Sequence, residues 1–337
     1  MKKELSMQQI KEACLNVQEF PKEVLDWTHD NNWWNIWVPK EYGGLEYSLT
    51  EGLKQLKDFA KIDGTLGWTL TLCSGANFFI GNLQKDVAKE LFSTPNICLG
   101  GSGGNFGTAE KKGNEYILNG KWRYATGSKY LTHFTLNAQV TEKGIALKNE
   151  DGTPQIRSFI IPKEKVTIIE DWNTMGLVAS ITNSFNVENV TCDKKYSFLY
   201  KDVFLPQPLY QIDFSTFADL TLWVNYIGMA EHFLEQVKMF NEESLYAELE
   251  TIISSANQEI AVISTSIETL LNNGDLLSQD QIQDIHLKAK SNVRAISQAI
   301  ITIYPFLGIK AASYAYPINQ IFRDYFTATQ HHIFVKR

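Results

Sequence analysis

Residues 115–128 read EYILNGKWRYATGS. Side chains alternate here with the period-two rhythm of a strand. Asn119-Gly120 has the composition of a two-residue hairpin turn. The stretch decides the fold because the chain on either side of it has another rhythm. HFTLNAQVT (133–141), IRSFIIPKEKVTIIE (156–170) and SFNVENVTCD (184–193) continue the strand pattern, with Gly and short polar turns between them. Residues 96–203 therefore read as a compact β domain.

Residues 1–95 read as helices. SMQQIKEACLNVQEF (6–20) repeats apolar residues at three- and four-residue spacing. SLTEGLKQLKDFAKID (48–63) opens on the cap candidates Ser48 and Thr50, and Leu49, Leu53, Leu56 and Ala60 form one stripe. GTLGWTLTLCSGANFFIGNL (64–83) is a nearly apolar helix rich in small residues, suited to burial. Residues 204–337 return to helix, with long helices at 214–240, 244–273 and 278–304 and a closing one from Pro317. Short turns between long helices make a four-helix bundle. The fold class is α+β: a helical domain, a β-barrel-like middle and the bundle.

The chain has 337 residues, 44% of them apolar and 20% charged, with a net charge of −7 and five arginines. No basic cluster supplies a nucleic-acid face. Cys14, Cys73, Cys98 and Cys192 form no CxxC pair, which argues against a zinc site and a disulfide framework. No segment reads as a signal peptide or a membrane span. A cytoplasmic, reducing compartment is the expectation, with no membrane, nucleic acid or metal.

Five stretches in this order resemble the acyl-CoA dehydrogenase superfamily: VPKEYGGLEYSLTE (38–51), AKIDGTLGW (60–68), GGSGGNFGTAEKKGNEYILNGKWRYATGS (100–128), DWNTMGLVASITNSFNVENV (171–190) and PINQIFRDYFTATQHH (317–332). The resemblance implies a flavin, FMN or FAD, against the middle domain. It places Thr126 near flavin N5 and Trp122 and Ser128 on the same strand face. It brings the backbone of Gly100, Gly101 and Ser102 close to flavin and substrate. Read from the residues alone, Trp122 serves equally as core, and the five glycines of CLGGSGGNFGTAE (98–110) as a flexible strand end. Ser180 and Thr182 stand where the superfamily has hydroxyls flanking a glycine, but Ile181 replaces that glycine and Val178 an arginine.

The closing helix separates two branches. No Tyr-Glu-Gly-Thr loop follows Arg323-Asp324, so the base of the dehydrogenases is missing there. Instead His331 falls eight residues after Arg323, on the helix face of Asp324, with His332 turned away. That spacing resembles the oxygenase component of two-component flavin monooxygenases, where such a histidine supports the reaction of reduced flavin with oxygen. The resemblance then implies a separate flavin reductase, a small and aromatic substrate, catalytic roles for His331 and Thr126, and a homotetramer or homodimer. Two alternatives stand beside it. Asp219, near the position of a base on the first bundle helix in some relatives, would make an acyl-CoA dehydrogenase. The connection VKMFNEESLYAE (237–248) lacks the arginine that grips the FAD diphosphate, which suits FMN, loosely held flavin, or a non-catalytic binding module.

Overall fold

The structure is a computed structural model that describes residues 5–239 and 243–334, apart from the His332 side chain. The first layer holds α1 (Met7–Cys14), α2 (Lys22–Asp30), α3 (Leu49–Ile62), α4 (Gly64–Asn77) and α5 (Lys85–Phe92). Ser48 caps α3 through a box with Glu51, as the sequence suggests. The middle layer holds β1 (Leu99–Lys112), β2 (Glu115–Ala125), β3 (His133–Glu142), β4 (Ile145–Ala146), β5 (Ile156–Pro162), β6 (Thr167–Ile169), β7 (Asn183–Asp193) and β8 (Ser197–Phe198). The last layer holds α6 (Phe214–Lys238), α7 (Glu243–Asn272), α8 (Gln279–Ile303), α9 (Gly308–Ala312) and α10 (Pro317–Ala328).

The strands form one mixed sheet in the order β6-β7-β2-β1-β3-β5-β8, with β4 beside β3. Strand β1 pairs antiparallel with β2 and parallel with β3, with shifts of register in the latter between Ser102 and Thr108. The hairpin turn is not at Asn119-Gly120. It lies at Gly113-Asn114, between the paired Lys112 and Glu115, and Gly113 takes φ 61°. Gly120 instead pairs with Gly107 inside the ladder. A Cβ on Gly107 would stand 2.3 Å from the Trp122 ring, so this pair of glycines forms the slot that receives the indole.

Helix α6 is apolar all round and buried, because it is the shared wall between α3 and α4 on one side and α7, α8 and α10 on the other. Helix α8 starts at a capping box of Ser278 with Gln281 and buries Ile285, Ala289, Val293, Ile296 and Ile300. The stretch Gln279–Ala312 is long and apolar enough, by length and composition, to cross a membrane. This corrects the expectation that no segment would be. Its apolar surplus faces outward: Phe306 is 71% and Ile309 84% exposed.

Candidate flavin site

Helix α4 is the spine of the site. Asp63 caps it, accepting from the Leu66 N–H at 2.8 Å, and small residues let neighbours approach on every side. Thr65 donates to Asp324 of α10 at 3.0 Å. One turn on, Trp68 meets the His331 ring edge-on, with centroids 5.6 Å apart. Two turns on, the Cys73 thiol points at the Thr126 carbonyl, 3.6 Å away. The turn after β2 and the turn after α10 thus rest on one helix.

The turn after β2 locks onto residues 176–183. Gly127 N–H donates to the Ser180 carbonyl at 2.7 Å, and Ser128 Oγ donates to the Ile181 carbonyl at 2.8 Å. Thr182 Oγ1 donates to Thr126 Oγ1 at 3.1 Å and lies 2.8 Å from Ser180 Oγ. Ser180 Oγ donates to the Leu177 carbonyl at 2.6 Å. Asn183 ties the far end, its amide on Ser128 Oγ and its carbonyl oxygen on the N–H groups of Asp171 and Trp172. Leu177 (φ 53°) and Ile181 (φ 42°) are both left-handed. For β-branched Ile181 this conformation is strained. Ile181 therefore sits in a backbone conformation that favours glycine.

Helix α10 holds this loop from outside. Asp324 Oδ1 accepts from the Leu177 N–H at 2.6 Å. Arg323 donates through Nη1 to the Met175 carbonyl and through Nη2 to Asn16. Gly176 lies so close to the Arg323 carbonyl that a Cβ would stand 2.2 Å from it. Asp324 shares the Gln320 amide with Asp63, at 3.3 and 2.8 Å. Both carboxyls are wholly buried. Burial first, and then the Asp324 charge, pushes Asp63 up to about 8. Burial raises Asp324 as well, against the pull of its hydrogen bonds.

Of the residues singled out in the sequence, the structure brings together Thr126, Ser128, Ser180 and Thr182, and rests His331 on the same helix. Two expectations change, those for the face of Trp122 and for the helix position of His331. Trp122 does not share a face with Thr126. It is buried in the sheet core, stacked on Phe185 with centroids 5.6 Å apart, and donates to the Asn137 carbonyl. Strand β2 ends at Ala125 after a break in its register with β7, so period-two counting fails there. Gly100 and Gly101 answer to the protein's own packing: a Cβ on Gly101 would strike the Thr135 carbonyl at 1.7 Å, and one on Gly100 the Leu131 side chain at 2.7 Å. Ser102 donates to the Arg123 carbonyl at 2.6 Å, tying β1 to β2 where the two are otherwise unpaired. Finally, α10 ends at Ala328, so His331 sits in the turn beyond it and not on its face. The orientation expected for His332 lies outside the described residues, as does the turn at 240–242.

Tyr124 was missed. It stands two residues before Thr126, is 48% exposed, and meets Trp172 edge-on at 5.9 Å. Trp68 was hidden in an apolar helix with nothing to mark it. Asp219, the alternative base, is turned onto α8, where both its oxygens lie 3.0–3.2 Å from His286 Nδ1. Two surface hollows on the bundle, along α7 and between α6 and α7, contain none of these residues. An exposed aromatic ring beside a row of buried hydroxyls fits a flat heterocycle with one polar edge, and a flavin has that form.

A helical layer, a mixed sheet and a helical bundle joined in this order are the acyl-CoA dehydrogenase-like fold, in the form shared by oxygenase components of two-component flavin monooxygenases. The monooxygenase HsaA from Mycobacterium tuberculosis superposes with a TM-score of 0.87 at 17% identity, over 98% of this chain and 92% of that one. TdsC from Paenibacillus, solved with FMN and indole, gives 0.78 at 16% identity, over 96% and 91%. An indole-3-acetate monooxygenase of Acinetobacter baumannii is 27% identical over 202 residues, which is 59% of this chain and 50% of that protein. The matched region spans about half the length of the first such relatives. No protein-family model matches.

Proposed function

We propose that this chain is the oxygenase component of a two-component flavin-dependent monooxygenase. It would take reduced FMN or FAD from a separate reductase and act on a small aromatic substrate in the cytoplasm. The observation that carries this reading is that two turns, one bearing the Thr126 hydroxyl row and the other His331, both pack on α4. The names of the similar proteins support the aromatic substrate. Reduced flavin, when bound, would supply two electrons to oxygen, one atom passing to the substrate and the other leaving as water. Thr126 Oγ1, fixed by Thr182, binds the polar edge of the ring. Tyr124 and Trp172, packed edge to face, would offer an apolar border near it. The His331 imidazole, edge-on to Trp68, would offer a titratable group for proton transfer at the reacting side. Asp219 does not take part, since its carboxylate is held by His286.

His331→Ala tests the reading. Flavin binding should stay within about threefold, because one edge contact is lost and no packed core side chain. Peroxide released per product formed should rise about a hundredfold or more, the scale of a lost acid–base group. Oxygen uptake and peroxide assays with reduced flavin measure it. An unchanged ratio makes His331 a chain-end residue. Absence of binding for both oxidised and reduced flavin in the wild-type protein makes the chain a non-catalytic relative.

We further propose a homotetramer or at least a homodimer, supported by the apolar surface around Phe306 and Ile309. Light scattering at micromolar concentration should give two to four chains per particle, and a monomer would refute it.

A further inference from the structure

Two carboxyls, both fully buried and bridged by one amide, need an explanation. Two adjacent negative charges without water repel, and a protein that retains such a pair keeps a proton on it. The pair is held by Leu66, Thr65 and Gln320 within the helices, and one contact leads from it to the site. Asp324 Oδ1 holds the Leu177 N–H. Leu177 accepts from Ser180, Ser180 contacts Thr182, and Thr182 donates to Thr126. The loop between is strained at Leu177 and Ile181. Left-handed backbone at a residue other than glycine does not hold itself, and persists only where its surroundings dictate it. The clamp on Leu177 is therefore the support that the conformation requires.

We propose that Asp63 and Asp324, sharing one proton, are a positioning pair that keeps the 176–182 loop and hence Thr126 in its flavin-facing arrangement. Loss of that proton drives the two carboxylates apart and releases the clamp. The charged and titratable groups that face the pair are Cys14 from α1 and Arg323 from α10. Cys14 stays a neutral thiol, raised by burial and by both carboxyls. Arg323 is committed to Met175, Asn16 and Asn319 on the outer side. The proton is thus a matter for the two acids, and the loop should loosen as pH rises past about 8, where Asp63 ionises.

The inference deepens the proposed flavin site, and its first readout needs no flavin. Hydrogen exchange of the 176–182 segment is followed by mass spectrometry, corrected for the intrinsic rate and referred to the 249–271 segment of α7. In the wild type, protection should fall between pH 6.5 and 9 by up to about tenfold, one decade per pH unit above about 8 being the ceiling for one proton. Asp63→Asn removes the second charge and should make protection independent of pH. Asp324→Asn keeps an acceptor for Leu177 and should do the same. The second readout is affinity for oxidised riboflavin, which lacks a titrating phosphate, and it should follow the same pH profile. Constant protection in the wild type, or an equal fall in both variants, overturns the proposal. The expected exchange pattern with no binding of riboflavin or of reduced flavin leaves the positioning pair standing and defeats the flavin reading.

Discussion

Asp324 and Asp219 are both buried carboxyls on helices of the bundle, and burial raises both. Their partners differ. Asp324 faces a second acid, with N–H and O–H groups from Leu177, Thr65 and Gln320 arranged around it. Asp219 faces an imidazole whose side chain is 33% exposed. The first site is dry and carries too much acid for its volume. The second has an imidazole partner and a route to water. A like-charged pair holds its shape only while protonated, whereas an acid–imidazole pair needs no such condition. The first is wired to strained backbone, the second to the body of the bundle, so the same residue type is a sensitive element in one place and a fastening in the other.

The largest effect should come from Asp324→Ala. It leaves the Leu177 N–H and the Thr65 hydroxyl without their acceptor and opens space between α4 and α10. The expected loss is about 3 kcal/mol, the range for buried donors left unsatisfied, read as a lower urea midpoint. A loss under about 0.5 kcal/mol would mean that relief of repulsion with Asp63 offsets everything Asp324 does.

The next effect is in pH. Asp63 has a folded pKa of about 8 against an ordinary value of 3.8. Below pH 4 the folded and unfolded chains bind the same proton. Between 4 and 8 the folded chain holds a proton that the unfolded chain has released. Stability from this group therefore falls as pH rises through that window, by up to about 1.4 kcal/mol per unit, and levels off above 8. Denaturation series at pH 6, 7.5 and 9 should show the fall in the wild type and a flatter line in Asp63→Asn. A wild type more stable at pH 9 than at pH 6 would reverse the sign and sink the account.

The order of layers was legible because the hydrophobic rhythm changes twice, near residues 96 and 204, and rhythm reports local structure directly. The hairpin was misplaced because Asn119-Gly120 has turn chemistry, yet Gly120 is needed as a gap beside Trp122. That need is tertiary and leaves no local trace. Thr126, Ser180 and Thr182 could be named from the resemblance, and the hydroxyl row joins them. The acid pair was half visible. Asp63 reads as a helix cap and Asp324 as a structural acid, but 261 residues separate them and nothing local says that Gln320 joins them. Tyr124 carries no local mark that sets it apart from the larger Trp122 two residues before it.

The smallest effect should come from Asp219→Asn, and it tests the comparison from its quiet side. An asparagine can still take a hydrogen bond from His286, so only the charge is lost. The imidazole is partly in water, which screens that charge, and pairs of this exposure contribute about 1 kcal/mol or less. A double-mutant cycle with His286→Gln should give a coupling of about 0.5–1 kcal/mol that shrinks with added salt. The same variant bears on the dehydrogenase alternative, since Asp219 was its candidate base. Wild type and Asp219→Asn should be equally inert toward acyl-CoA thioesters with an electron-accepting dye. Dye reduction by the wild type that disappears in Asp219→Asn would make this carboxyl a catalytic group. A coupling above about 3 kcal/mol would instead place it in the same dry class as Asp324 and remove the distinction on which the comparison rests.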